Sequence, residues 1–338
     1  MSLSARRAQP AGLKARTPPR LPPLQQAVAL VADDLAAAEA ALERSLQSVV
    51  PAVSEIAGYL VAAGGKRLRP LITALGARAV GFDGDLVPLM CAGEILHLGS
   101  LLHDDVVDGG LERRGREAAH RIHGNANAVL AGDFCLARAV LLAAEGGGEP
   151  AVVALSKAVT RMAEGEVSQL LHAGRTDLSL AEYYAIIEAK SAALIAWCAC
   201  AGALSAGATR YARALDAYGR GVGIAFQLTD DVLDYTGTAS ETGKRPGVDL
   251  LEGKRTLPLI LAMEQDPALQ ARIAAGDISE DDLPELLAAV VATGACDETL
   301  RVARERVSGA LEALSILPES PYREALEGLA WVLVERVK

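Results

Sequence analysis

Three carboxylates, Asp104, Asp105 and Asp108, stand in an otherwise apolar stretch, Leu101-Leu102-His103-Asp104-Asp105-Val106-Val107-Asp108. The stretch ends on Gly109-Gly110 and is followed by Arg113-Arg114. On a helix, Asp104 and Asp108 share a face and Asp105 lies about 100° around it. Like charges one turn apart destabilise a helix, so acids beside Val106 and Val107 call for a compensating cation. Carboxylate oxygens without nearby Cys or clustered His favour a hard ion, Mg2+ or Mn2+. One such cluster alone reads as well as a solvated acidic helix end. A second, in Phe226-Gln227-Leu228-Thr229-Asp230-Asp231-Val232-Leu233-Asp234, repeats the spacing 126 residues later, and coincidence explains two poorly.

Mg2+ held by one or two carboxylates completes its shell with water and substrate phosphate. A phosphorylated ligand in turn needs cations. Arg113 and Arg114 follow the first cluster. Gly64-Gly65-Lys66-Arg67-Leu68-Arg69-Pro70 forms a second basic group, and Lys244 and Lys254 flank a Gly/Pro-rich stretch after the second cluster. Arg offers phosphate a fork and Lys a point charge. Each cation alone reads as a solvated surface residue. Together, beside two Asp clusters in a chain of net charge -10, they point to a diphosphate site.

The elements that position these residues read as helix almost throughout. From about Gln25 onward Ala and Leu dominate, with apolar residues at three- and four-residue spacings, as in Val28, Leu30, Val31, Leu35 and Leu42. Sustained alternation is lacking. Breaks are expected at Gly64-Gly65, Gly109-Gly110, Gly146-Gly147-Gly148, Gly174, residues 237–253, and around Pro284 and Pro318, giving roughly ten to thirteen helices. The fold class is therefore all-α: a single large helical bundle over residues 25–338 whose two Asp clusters face each other. Residues 1–24 are basic, acid-free and proline-rich, and read as a disordered tail. An acidic chain disfavours nucleic acid as a partner. Five scattered cysteines without a CxxC pair read as reduced core residues of a cytoplasmic protein. The uncharged run between Lys190 and Arg210 approaches bilayer length, but its Ala, Gly, Ser and Cys content reads as a buried central helix.

The ordered set of motifs resembles the trans-isoprenyl diphosphate synthases (polyprenyl synthetases), most closely the long-chain group that makes quinone side chains. The resemblance runs from about Gln25 to the C-terminus. It rests on GGKRLRP at 64–70, LLHDDVVDGGLERRG at 101–115, FQLTDDVLD at 226–234 and GKRPGVDLLEGKRTLP at 243–258. It implies an all-α homodimer with the active site in a deep central cavity between the two Asp clusters, acting on isopentenyl diphosphate and an allylic prenyl diphosphate with three Mg2+. The implied metal ligands are Asp104, Asp108 and Asp230, with Asp234 acting through water. Arg113, Lys190, Ser191, Gln227, Lys244 and Lys254 match positions around the allylic diphosphate. Lys66, Arg69, His97 and Arg114 match the isopentenyl diphosphate site. Ser191 stands where Thr is commoner, and the hydroxyl is retained. Without the motifs, Lys190 reads as a helix-end cation and His97 as a core histidine. The implied chemistry is ionisation of the allylic C–O bond, attack by the isopentenyl double bond, and loss of a proton to the departed diphosphate. Asp104, Asp105, Asp108, Lys190, Asp230 and Lys244 carry it.

Product length turns on the residues one helical turn before Asp104. Ser100 lies on the same face, about 6 Å deeper at 1.5 Å per residue, with Gly99 beside it. Short-chain members carry bulky side chains near here as a floor. Gly99 and Ser100 leave it open for a product of about C30 to C50, or else they serve only close helix packing. The alternatives are a C15 or C20 synthase, a class I terpene cyclase, and a non-catalytic subunit of a hetero-oligomeric synthase. The cyclase leaves Lys66, Arg69 and Arg114 unexplained; the subunit sits badly with two intact Asp clusters.

Overall fold

A computed structural model describes residues 24–237 and 246–335; the expected disordered tail and Lys244 lie outside them. The described chain is helical nearly throughout. In order the helices are α1 (Leu24–Leu30), α2 (Ala32–Ser45), α3 (Pro51–Ala62), α4 (Leu68–Ala79), α5 (Val87–Val107), α6 (Ala119–His123), α7 (Asn125–His172) and α8 (Leu180–Ile187). Then come α9 (Ala193–Ser205), α10 (Thr209–Thr236), α11 (Val248–Leu251), α12 (Leu257–Gln265), α13 (Pro267–Ala274), α14 (Leu283–Ala292), α15 (Ala295–Ala313) and α16 (Pro321–Val334).

Local chemistry sets their ends. Ser179 and Glu182 form a reciprocal capping box at the start of α8. Asp266 accepts the backbone N–H groups of Ala268 and Leu269 at the start of α13. Proline stands in the first turn of α3 and α16, where no intrahelical donor is lost. The expected break at Gly146-Gly147-Gly148 narrows to a kink: only Gly148 (φ 61°, ψ -158°) leaves helical geometry within α7. The surplus over the expected helix number comes from short pieces such as α6 and α11, which are too brief to show a period.

The core is built around α9. Every residue from Ala193 to Ala203 is buried, as expected for the uncharged run. Small residues let neighbours close on it from several sides. A Cβ on Gly76 of α4 would lie 2.2 Å from the carbonyl oxygen of Ala199, and one on Gly223 of α10 2.6 Å from Cα of Ala192. Trp197 fills the remaining space and donates its indole N–H to the carbonyl of Ala151 at 3.0 Å. The apolar stretch Leu180–Ser205 is long enough to cross a bilayer, but 72% of its most apolar window is buried in protein. All five cysteines are free and buried. A second, smaller apolar cluster, including Val232, Tyr235, Leu259, Leu283 and Val290, lies under the chain that follows α10.

Between Lys190's neighbours Glu188 and Ala192 the helix widens to a π turn that joins α8 to α9. After the first Asp cluster the helix gives way to a turn and a two-residue antiparallel ladder, Glu112↔Glu117 and Arg113↔Arg116.

Candidate active site

Both Asp clusters sit at helix C-termini. Val107 is the last residue of α5 with Asp108 as its cap, and Asp230, Asp231 and Asp234 occupy the last two turns of α10. The partial negative charge at a helix C-terminus disfavours acids there by about 0.3–1 kcal/mol each. Two independent helices carry the same unfavourable arrangement, and their ends are brought together. The Nζ of Lys254 lies 3.9 Å from Asp108 and 3.6 Å from Asp249, and it also pairs with Glu252. The backbone N–H of Asp249 in turn donates to Asp234 at 3.1 Å. Lys254 thus ties the first cluster to the second, as facing clusters require. Burial opposes its charge, but Asp249, Asp108 and Glu252 outweigh burial and hold its pKa above the ordinary lysine value. A cavity of about 200 Å3 opens here between Val107, Asp108, Leu170, Glu252 and Lys254.

The three acids of the first cluster have different surroundings. Burial pushes Asp104 up to about 6; Glu166 and Asp108 add to the rise, while Lys190 and Arg113 oppose it. Its carboxylate has no hydrogen-bond or ion-pair partner among the described residues. Asp105 is fully buried and takes Arg113 on one oxygen, Nε at 2.7 Å and Nη2 at 2.6 Å. That contact gives Asp105 a structural task beside the expected one, holding Arg113 in place. Its second oxygen is buried without a partner.

The second cluster divides similarly. Asp231 is buried, accepting from Tyr183 Oη at 2.5 Å and Gln227 Nε2 at 2.8 Å. Burial and then Asp249 raise its pKa to about 7 against these two hydrogen bonds. Gln227 accepts from Ser191 Oγ at 2.7 Å, so Ser191 and Gln227 are neighbours, as expected. Lys190, on the π turn, pairs with Glu166 at 2.5 Å and lies near enough to Asp104 to shift it. Gly165 allows this approach: a Cβ there would stand 2.9 Å from the backbone nitrogen of Lys190.

The other cations gather separately. The Nε of Arg69 is buried without a partner. Burial, then Arg69, Arg114 and Arg113, push the His97 pKa well down, so the imidazole is neutral. The hairpin loop Arg114-Gly115 has positive φ at both residues, as tight two-residue loops require. It returns the Arg114 guanidinium to the carbonyls of Leu60 and Gly64. Lys66 is exposed beside it. Arg67 is held by Glu39 at 2.7 Å and by the buried Glu94 at 3.0 Å. Glu94 is the counter-charge of the whole group, since Arg69 and Arg114 both feel its field. Replacing Glu94 by Gln is expected to cost about 2–3 kcal/mol in urea unfolding, whereas Glu39→Gln, half exposed, should cost less than about 1 kcal/mol. Equal effects would mean that Glu94 is not the anchor.

Glu94, Glu166, Asp249 and Tyr183 are site residues that sequence reasoning missed. Two carried a signal: Glu94 is the only acid in α5 before Asp104, and Glu166 follows a glycine in mid-helix. Gly99 requires a correction. Its Cβ would meet Cβ of Cys135 at 2.9 Å and the carbonyl oxygen of Gly132 at 3.0 Å, so it sits against α7 rather than in an open floor.

No three acidic, His or Cys side chains converge tightly enough to hold an ion by themselves among the described residues. The donor set fits a hard cation only if water and phosphate supply most ligands, which is the coordination Mg2+ prefers. Asp104, a half-buried carboxylate without a counter-charge bonded to it among the described residues, is the residue most in need of it.

The polyprenyl synthetase sequence profile matches residues 50–290. The chain belongs to the polyprenyl synthetase family. Its relatives include octaprenyl diphosphate synthase of Escherichia coli, 40% identical over 313 residues that cover 91% of this chain and 97% of that protein. All-trans-nonaprenyl-diphosphate synthase (geranyl-diphosphate specific) of Rhodobacter capsulatus is 38% identical, covering 93% of this chain and 98% of its own length. A solved structure of polyprenyl synthase from Caulobacter crescentus complexed with calcium and isoprenyl diphosphate superposes with TM-score 0.89 at 42% identity, covering 94% of this chain and 99% of that one. The all-α isoprenoid synthase fold and the prenyltransferase class follow from this membership.

Proposed function

We propose that this polyprenyl synthetase adds isopentenyl diphosphate units successively to an allylic diphosphate, giving an all-trans product of about C30 to C50, for a quinone side chain. The observation that carries the reading is Lys254 joining two acidic helix ends, with a separate basic group around Arg69. One molecule with one diphosphate needs only the first of these; two diphosphate substrates need both.

The allylic diphosphate is held at the Asp clusters by Arg113, Lys190, Ser191, Gln227 and Lys254, with Lys244 from outside the described residues. Asp104, Asp108 and Asp230, with Asp234 through water, would hold Mg2+, which would supply charge neutralisation for the leaving diphosphate. The chain's own cations add to this at fixed positions, which avoids reorganisation as the C–O bond breaks. Lys66, Arg69, His97 and Arg114 bind isopentenyl diphosphate; neutral His97 donates a hydrogen bond without adding charge. The new C–C bond forms as the isopentenyl double bond attacks the allylic carbon, and the proton leaves to the departed diphosphate. Buried apolar neighbours such as Leu102 and Leu228 keep water from the reacting carbon.

The working unit is a homodimer in the cytoplasm. Supporting this, Ile122, Val129, Leu130 and Leu141 lie exposed along α6 and the first half of α7, and Leu130 is 62% exposed. A second copy would cover such a stripe. The water-insoluble product leaves at a membrane surface without a membrane-spanning anchor.

The test is incubation of the purified protein with farnesyl diphosphate, isopentenyl diphosphate and Mg2+, with an EDTA control and mass spectrometry of the products. A Mg2+-dependent ladder ending between C30 and C50 is expected. No condensation would overturn the reading, and a stop at C20 would overturn its long-chain part.

A further inference from the structure

Behind the diphosphate pocket, two residues outside the substrate-binding set join Gln227 and Ser191 in a partly buried chain of hydrogen bonds. Tyr183 on α8 donates to one oxygen of Asp231, and Gln227 Nε2 donates to the other. Tyr183 and Asp231 are both buried. A carboxylate that already accepts from a phenol leaves its second oxygen to face a donor, so the amide of Gln227 must present Nε2 to Asp231. Its Oε1 is then turned to Ser191 and takes the hydroxyl proton at 2.7 Å. Each link fixes the next. The tyrosine sets the carboxylate, the carboxylate sets the amide, and the amide decides which way the hydroxyl of Ser191 points.

The geometry points to Tyr183 and Asp231 as positioning residues that act through Gln227 on Ser191, so that the Ser191 hydroxyl is held in one place beside the allylic diphosphate. The inference rests on the reading of Ser191 and Gln227 as allylic-site residues. It also gives Asp231 a role different from that of Asp230 next to it. The π turn belongs to the same device. It carries Ser191 between α8, which supplies Tyr183, and α9, and so sets the hydroxyl against α10.

Tyr183→Phe removes only the hydroxyl. Expected are a roughly tenfold fall in kcat and a severalfold rise in KM for the allylic diphosphate, with KM for isopentenyl diphosphate unchanged within about twofold, since a lost hydrogen bond of ordinary strength is worth about that much. The deciding comparison is a double-mutant cycle with Ser191→Ala. If the relay works as described, Tyr183→Phe on the Ser191→Ala background costs nothing further. Additive losses, unchanged kinetics, or an equal rise in both KM values would overturn the inference and leave Tyr183 as a packing residue. Asp231→Asn is the second variant, for use if Tyr183→Phe does not fold. It keeps the volume but leaves one acceptor oxygen in place of two, so position 231 can no longer accept from both Tyr183 and Gln227 and the relay is broken. The same kinetic split and the same non-additivity with Ser191→Ala are expected; additivity would overturn the inference. Absence of activity in the unmodified protein would instead sink the functional reading itself, so the two failures are distinct.

Discussion

Asp104→Asn is expected to lower kcat/KM by at least about a thousandfold, or about 4 kcal/mol of transition-state stabilisation, while making the metal-free protein more stable. The two effects have one cause. The Asp104 carboxylate is half buried, feels Glu166 and Asp108 against Lys190 and Arg113, sits in the last turn of α5, and has no cation bonded to it among the described residues. Its charge opposes folding until something neutralises it. Asn keeps the shape and removes the charge, so in EDTA at neutral pH the variant should melt higher, by about 1–2 kcal/mol of added stability. Adding Mg2+ with a non-reactive diphosphate should then stabilise the unmodified protein and leave the variant almost unmoved. Asp105→Asn provides the contrast. It breaks the buried pair with Arg113 and should destabilise by about 3 kcal/mol, with or without metal. If Asp104→Asn melts lower than the parent in EDTA, or keeps its turnover, Asp104 is not the uncompensated ligand described here.

That two adjacent acids should respond with opposite signs could not be read from the sequence, where they differ only in helical phase. The helical class was legible because apolar spacing and Ala-rich composition act locally. The breaks at Gly64-Gly65 and Gly109-Gly110 were legible for the same reason: Gly64 and Gly109 both adopt positive φ. The motif residues were legible through the family resemblance. What escaped was set by distant partners. Arg113 reaches Asp105 only because a tight hairpin, closed by a non-glycine at φ 54°, folds the chain back. Nothing in Glu-Ala-Lys-Ser-Ala announces a π turn; it arises where α9 is gripped between its neighbours and Gly165 lets α7 press on Lys190. Glu94 and Glu166 meet their cations 27 and 24 residues away along the chain. The apolar stretch around Glu94 and the glycine before Glu166 marked them as unusual, without naming the partner.

Gly99 and Ser100, adjacent and similar in size, are expected to part company when enlarged. Phenylalanine at Gly99 would drive a ring into Cys135 and the backbone of Gly132, where even a Cβ stands at 2.9–3.0 Å. Helices α5 and α7 would have to separate along their shared seam, at a cost of at least about 3 kcal/mol, and poor folding should precede any change in product. Ser100 is only half buried, and its hydroxyl bonds back to the carbonyl of His97 at 2.9 Å within α5. Ser100→Phe should therefore melt within about 1 kcal/mol of the parent. Its ring stands about 6 Å from Asp104 along the helix axis, where a growing chain must pass, and the product ladder should end below about C30. Melting curves and mass spectra of both variants check this together. A stable Gly99→Phe protein with a shortened ladder would mean that the chain runs along the α7 seam. An unchanged ladder in a folded Ser100→Phe protein would mean that it leaves Asp104 by another face. Either result would place the chain-length stop away from Ser100, the residue one turn before Asp104 on the same face of α5.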